Sequence, residues 1–274
     1  MMKKWLMMMI SAVTLLTACS KIDDSERLIY VDSPKEDGTG PAVYRAALIE
    51  DFTAQYCVNC PNAADEIEQL VKEFGEDKVI AVGIHGGPLA HKGGKGSNER
   101  MPLCTEMGDG LYDYWKIQAQ PIGNVNRTGF ATHDLWMGLV REQVRQKAKV
   151  KLDVESTYQP TSNSVNAVVT ATGLNVVDMM LQVWLVEDSI VSPQMMPDGK
   201  AKVDYMHHHV FRTAANGMWG DPVALAQDEK RTAKYEIKLD KEWNPAHLSV
   251  VAFVYHAKGN PGEVEQVVKK KISL

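Results

Sequence analysis

Cysteine is scarce in this chain, with four among 274 residues. Two of them, Cys57 and Cys60, stand two residues apart in the stretch Phe52-Thr-Ala-Gln-Tyr-Cys-Val-Asn-Cys-Pro61. A structural zinc site takes four cysteine or histidine ligands, usually as two spaced pairs. No second Cys-x-x-Cys exists here. The run His207-His208-His209 reads as part of a strand from Tyr205 to Arg212, where neighbours point to opposite faces. Only His207 and His209 would share a face, so no metal is expected. Positive charge is also short, with 30 Lys and Arg against 35 Asp and Glu and a net charge of −5. Without a basic cluster, nucleic acid is excluded as a partner class. The Gly-rich stretch 86–100 (GGPLAHKGGKGSNER) contains no G-x-x-x-x-G-K-[ST] register, so no nucleotide cofactor is expected. It reads as a flexible loop beside the active face, a lid that grips a partner. No apolar run reaches the about 20 residues that cross a bilayer as a helix. The hydrophobic fraction of 45% is enough for packed cores, and the length suits two domains.

The N-terminus carries an address. Lys3 and Lys4 precede an apolar run from Trp5 to Leu16, which ends in Leu16-Thr17-Ala18-Cys19. Small residues closed by a cysteine resemble the lipobox of bacterial lipoproteins. The resemblance implies a signal peptide over residues 1–18 and lipid attachment at Cys19. Two or more acyl chains hold a protein durably, at about 0.8 kcal/mol per buried CH₂. Residues 19–42 are polar and contain Pro34, Gly38, Gly40 and Pro41, as a tether would. Within it, Ser20-Lys21-Ile22-Asp23-Asp24 is similar to the Lys-plus-acidic signal that sends lipoproteins to the cell surface in Bacteroidetes-type bacteria. A charged linker is the plainer alternative.

Residues 43–52 form an apolar run with β-formers, a buried strand. After the cysteine pair, Ala63, Ile67, Leu70, Val71 and Phe74 trace one face of a helix. Pro61 suits its first turn and Gly75 its end. Residues 78–85 (KVIAVGIH) are a second buried strand. The order is β-α-β, with the cysteines at the N-terminal end of the helix. Unpaired N–H groups there favour a thiolate, so Cys57 is expected to be the exposed nucleophile and Cys60 the resolving thiol.

Asp51-Phe52-Thr-Ala54-Gln-Tyr56-Cys57-Val-Asn-Cys60 resembles the thioredoxin-like pattern D-F-x-A-x-W-C-x-x-C, with Tyr56 in place of tryptophan. The resemblance implies that Asp51 is a buried general base for the resolving thiol. The lysine that often pairs with this acid is missing, and His85 is the residue that could substitute. The resemblance also implies a cis-proline opposite the cysteines. Pro121, in Ala119-Gln120-Pro121-Ile122-Gly123, is placed for it, and Tyr56 and Gln120 would then contact substrate. Thr132 is expected to cap a last helix carrying Leu135, Leu139, Val140 and Val144 and ending near Lys149. Cys104, opening a helical stretch that runs to Trp115, reads as a buried or idle thiol rather than a third redox residue. The module spans residues 43–149.

From residue 150 the period changes to two. Leu152 and Val154, then Val165 to Ala171, alternate, and 179–186, 205–212, 235–239, 248–255 and 264–272 add five more strands. Seven short strands predict an all-β sandwich of immunoglobulin-like kind over residues 150–274. Residues 187–204, with Pro193, Met195, Met196 and Pro197, read as a contact loop or a cap on the sandwich. The full layout resembles the outer-membrane lipoprotein family related to the 28-kilodalton outer membrane protein of Bacteroidetes-type bacteria. Two functions stay open. One is thiol–disulfide exchange with exported proteins or a redox partner, at a membrane held through the lipid anchor. The other is surface binding, with Cys57–Cys60 a structural disulfide. Cys19→Ala should shift the protein out of the membrane fraction and remove its acyl mass. A variant that stays with the membrane would refute the anchor.

Overall fold

The computed structural model describes residues 42–91, 102–257 and 262–274. The signal segment, Cys19, the tether up to Pro41, residues 92–100 of the Gly-rich stretch with Met101, and residues 258–261 lie outside the described residues. The elements of the first half are β1 (Ala47–Thr53), α1 (Cys60–Phe74), β2 (Val79–His85), α2 (Glu106–Tyr114), β3 (Ile122–Val125), β4 (Phe130–Ala131) and α3 (Trp136–Gln143). Three long strands follow: β5 (Val150–Gln159), β6 (Ser164–Gly173) and β7 (Val177–Glu187). Next come short strands β8 (Ile190–Val191), β9 (Gln194–Met195), β10 (Ala201–Lys202) and β11 (Met206–His207). The chain ends with β12 (Val210–Ala214), β13 (Asp221–Leu225), β14 (Lys230–Lys238), β15 (Leu248–His256) and β16 (Val264–Lys271).

The helix after the cysteines forms as its spacing dictates. Ala63, Ile67 and Leu70 are buried, Pro61 lies in the first turn, and Gly75 at φ 97° ends the helix with its N–H on Val71 O. The helix expected after Thr132 differs. The Thr132 side chain makes no cap bond, His133–Leu135 is a 3₁₀ turn, and α3 runs only from Trp136 to Gln143. The cause is Trp136, which is fully buried while Leu135 is 56% exposed. Its indole N–H donates to Ala131 O, and its ring lies where a Cβ on Gly123 would come within 2.6 Å.

β1 pairs in parallel with β2 and antiparallel with β3, and β3 pairs antiparallel with β4. Within the described residues these strands belong to a nine-stranded sheet of order β16-β15-β7-β12-β2-β1-β3-β4, with β13 also on β7. The two halves of the chain thus share one sheet. Their seam is narrow: Val210 of β12 is in register with Gly83 of β2, and Gly83 N–H donates to His209 O at 2.8 Å. The sheet curls until its far ends meet, where Val264 N–H donates to Asn126 O. Leu48, Phe52, Val82, Trp184, Phe211 and Phe253 fill the curl. α1 and α3 cover the outer face of β1 and β2.

A second sheet, β14-β6-β5, packs on the outer face of β7 and β15. β5 therefore alternates buried and exposed, whereas β15 is buried along nearly its whole length. Strands covered on both faces read as unbroken apolar runs, which is why LQVWLV and LSVVAFVY lack alternation. The strand expected over 205–212 is broken. His208 and His209 separate β11 from β12, and His209 sits at φ 57° with its N–H on Asp188 Oδ1. Among the described residues no helix is long and apolar enough to cross a membrane.

Inside the curl, Arg127 donates through Nε and Nη2 to both oxygens of Glu50, at 2.9 and 2.8 Å. Both side chains are fully enclosed, and the guanidinium lies 4.8 Å from the Tyr255 ring centroid and 5.1 Å from that of Phe253. Glu50→Ala would leave that charge buried and unpaired. It should cost about 3–5 kcal/mol of unfolding free energy in urea. A loss under about 1 kcal/mol would mean that the pair does not hold the curl.

Candidate functional site

β1 ends at Thr53, and the chain turns through Ala54 to Asn59 before α1 begins at Cys60. Cys57 and Cys60 are joined as a disulfide with Cα atoms 5.4 Å apart. Cys57 was expected to be the exposed sulfur. It is not, because both cysteines are 3% exposed. The turn faces its sulfurs inward onto Ala54 and Ala90, with Cys104 packed against them, and aims Tyr56 and Val58 outward. Cys57 also precedes the helix, whose first residue is Cys60.

The turn is held from the other half of the chain. Gln194 Nε2 donates to Ala54 O and Cys57 O. Gln55 Nε2 donates to Ser192 Oγ and Pro193 O, and Met195 N–H donates back to Gln55 O. Residues 187–204 thus clasp the cysteine turn. Neither glutamine could be picked out from the sequence, because a lone glutamine carries no spacing signal.

Asp51 lies on the α1 face of β1, in register with Gly83 on one side and Gly123 on the other. It is 4% exposed, and its Oδ1 has no hydrogen-bond partner among the described residues. Burial pushes its carboxyl up to about 7. Asp51 and Cys60 line one cavity of about 450 Å³, together with His85, Lys202, Tyr205 and His207. The cavity is bounded by α1 and by the segment 202–209.

His85 gives Asp51 no positive charge. Burial first, then the charges of His207 and Arg212, holds its imidazole well below the usual histidine range. Its ring meets His207 edge-on, 5.7 Å between centroids. His207 is held near 4, chiefly by burial, and its Nε2 is 3.1 Å from Ser192 O. His85 and His91 have five residues between them, a spacing seen at metal sites that the ligand reading passed over. The His91 ring instead meets Tyr56, 6.1 Å between centroids. Among the described residues, no three His, Cys, Asp or Glu side chains are grouped to hold a metal ion.

The Gln120–Pro121 peptide bond is cis, and Ile122 next to it is in register with Phe52. Pro121 therefore stands at the end of β1 that leads into the cysteine turn. The Gln120 side chain donates to Thr53 O and Gly86 O, bracing the ends of β1 and β2. Tyr56 is 41% exposed.

Fold and site together describe a β-rich protein whose large curled sheet carries a buried Cys-x-x-Cys disulfide beside a neutralisable acid. The chain belongs to the family of outer membrane protein Omp28, whose sequence profile matches residues 108–274. The match begins after Cys57 and Cys60, so the cysteine turn lies outside it. Among solved structures, HBP35 of Porphyromonas gingivalis shares the fold, with a TM-score of 0.66 and 19% identity over 84% of this chain and 76% of that one. A domain of the outer membrane lipoprotein Omp28 from Porphyromonas gingivalis is 25% identical, with a TM-score of 0.33, over 46% of this chain and 89% of that one. No curated protein matches the sequence.

The Asp51 carboxyl has a pH signature. In the unfolded chain it titrates near 3.8, and in the folded chain near 7. The folded state therefore holds the extra proton between these values, and stability falls as pH rises through that window. A tenfold difference in proton affinity between the two states is worth about 1.4 kcal/mol. Asp51→Asn should remove this decline, so the variant should gain on the parent by a few kcal/mol from pH 4 to pH 8 in urea unfolding. Parallel profiles for the two proteins would show that Asp51 stays ionised in the fold.

Proposed function

We propose that this protein is a lipid-anchored outer-membrane protein in which residues 43–149 are a thioredoxin-like module and residues 150–274 an immunoglobulin-like sandwich. The module exchanges thiols and disulfides with exported proteins. The strand order β2-β1-β3-β4, the cysteine pair between β1 and α1, and the cis bond before Pro121 support this reading. The observation that carries it is Asp51, buried in the cavity that Cys60 lines, with no partner for its Oδ1 among the described residues. A structural disulfide has no use for such an acid, which costs the fold stability when it ionises.

In the exchange, the Cys57 thiolate attacks one sulfur of a partner disulfide, breaking that bond, expelling the other partner sulfur as a thiolate and leaving a mixed disulfide. Asp51 then takes the Cys60 proton, and Cys60 attacks Cys57 Sγ, releasing the partner as a thiolate. A carboxyl titrating near 7 can accept and return that proton at neutral pH. Tyr56, exposed beside the pair, and the backbone at Gln120–Pro121 would contact the partner. The burial of both sulfurs favours the second reading, a surface binding protein with Cys57–Cys60 as a staple.

The reduction potential and trapping separate the two. With Cys60→Ala and Cys104→Ser combined, Cys57 should capture envelope proteins as mixed disulfides. Asp51→Asn should slow partner release more than the first attack. A potential below about −300 mV together with no captured protein would leave only the staple.

A further inference from the structure

We propose that Cys104 is a third exchange thiol, which attacks Cys57 Sγ and moves the disulfide from Cys57–Cys60 to Cys57–Cys104. This rests on the reading of the pair as exchangeable and extends it to a site that reading leaves out. Cys104 packs against the cluster formed by Cys57, Cys60, Ala54 and Ala90, with its Sγ 3.6 Å from Thr105 O, so three of the chain's four cysteines meet at one apolar site. Its place there is fixed by its neighbour. Leu103 is fully buried against Ile190 and Val210, and its N–H donates to Gln55 Oε1 at 3.4 Å. Gln55 also anchors the turn that carries Cys57, so one side chain positions both backbones.

Which sulfur is attacked follows from the cavity. Cys60 lines it with Asp51, whereas Cys57 and Cys104 do not. Attack on Cys57 therefore expels the sulfur that lies beside an acid. The Cys104 thiol gives its proton to solvent, and its sulfur bonds to Cys57 Sγ. The Cys57–Cys60 bond breaks, and Cys60 leaves as a thiolate that takes the Asp51 proton. One disulfide is present before and after, so no oxidant or reductant is consumed. Cys57 and Cys60 are buried, whereas Cys104 is partly exposed. The exchange thus brings an enclosed disulfide to a sulfur that an outside thiol can reach.

The test uses the full chain with Cys19→Ser, so that only these three cysteines remain. Reduced Cys60→Ala is treated with oxidised glutathione and mapped as non-reduced peptides. Cys57 should be found linked to Cys104. Adding Cys104→Ser should convert that link to a Cys57–glutathione adduct and raise the adduct severalfold. A Cys57–glutathione adduct in Cys60→Ala, with Cys104 still alkylatable, would overturn the relay and leave the redox reading intact. A Cys57 that reacts with nothing in either variant would overturn both. If Cys60→Ala fails to fold, the chain with its cysteine pair intact is half-reduced, acid-quenched and mapped. A Cys57–Cys104 fraction there supports the relay, and its absence refutes it.

Discussion

The enclosed Glu50–Arg127 pair is the constraint around which the sheet is built. Arg127 follows β3 at one end of the sheet, and its guanidinium lies over Phe253 and Tyr255 of β15 near the other. The sheet can bury that cation only by curling far enough to bring those rings over it. Glu50 then balances the charge with two parallel hydrogen bonds, the geometry that best repays the desolvation of both ions. Arg127 also occupies the left-handed region at φ 57°, a conformation that is costly for a residue with a Cβ unless its side chain is held. A second set of contacts, from Arg45 to Glu263 and Glu265, ties the start of the described chain to β16 and reinforces the same closure.

The neighbour of Glu50 meets the opposite fate. Residues on a strand alternate between faces, so Asp51 must point away from the curl, toward α1. There both adjacent strands present glycine, Gly83 and Gly123, and neither supplies a donor. One strand thus holds two adjacent buried acids in different surroundings. Glu50 is ion-paired by an arginine, and Asp51 is pushed toward neutrality by burial alone.

Local features were well marked in the sequence. The α1 stripe, its Pro61 start and Gly75 stop, and the alternation of Leu152 and Val154 depend on neighbours a few residues away. The sheet shared by the two halves was not legible, because the seam at Gly83 and Val210 joins residues far apart and uses main-chain groups that any side chain could accompany. The clasp of Gln55 and Gln194 escaped for the same reason. The expectation of an exposed Cys57 followed from its place before a helix. It failed because the direction of a turn is set by what packs on it, here residues 187–204 of the other half. Trp136 overrode Thr132 as the organiser of α3, since a large ring filling the space over Gly123 outweighs one cap bond.

The cavity between α1 and residues 202–209 reaches Cys60 of the cysteine turn and not Cys57. Its lining includes Cys60 and Asp51, and it includes neither Tyr56, Val58 nor Pro121. In the proposed exchange, a partner that contacts Tyr56 and Pro121 would touch no residue of that lining. The proton that Asp51 takes from Cys60 would then be held in a cavity lined by none of the residues proposed to contact the partner. Lys202 and Tyr205 line the same cavity, so substitutions there change the surroundings of Asp51 without changing Tyr56 or Val58.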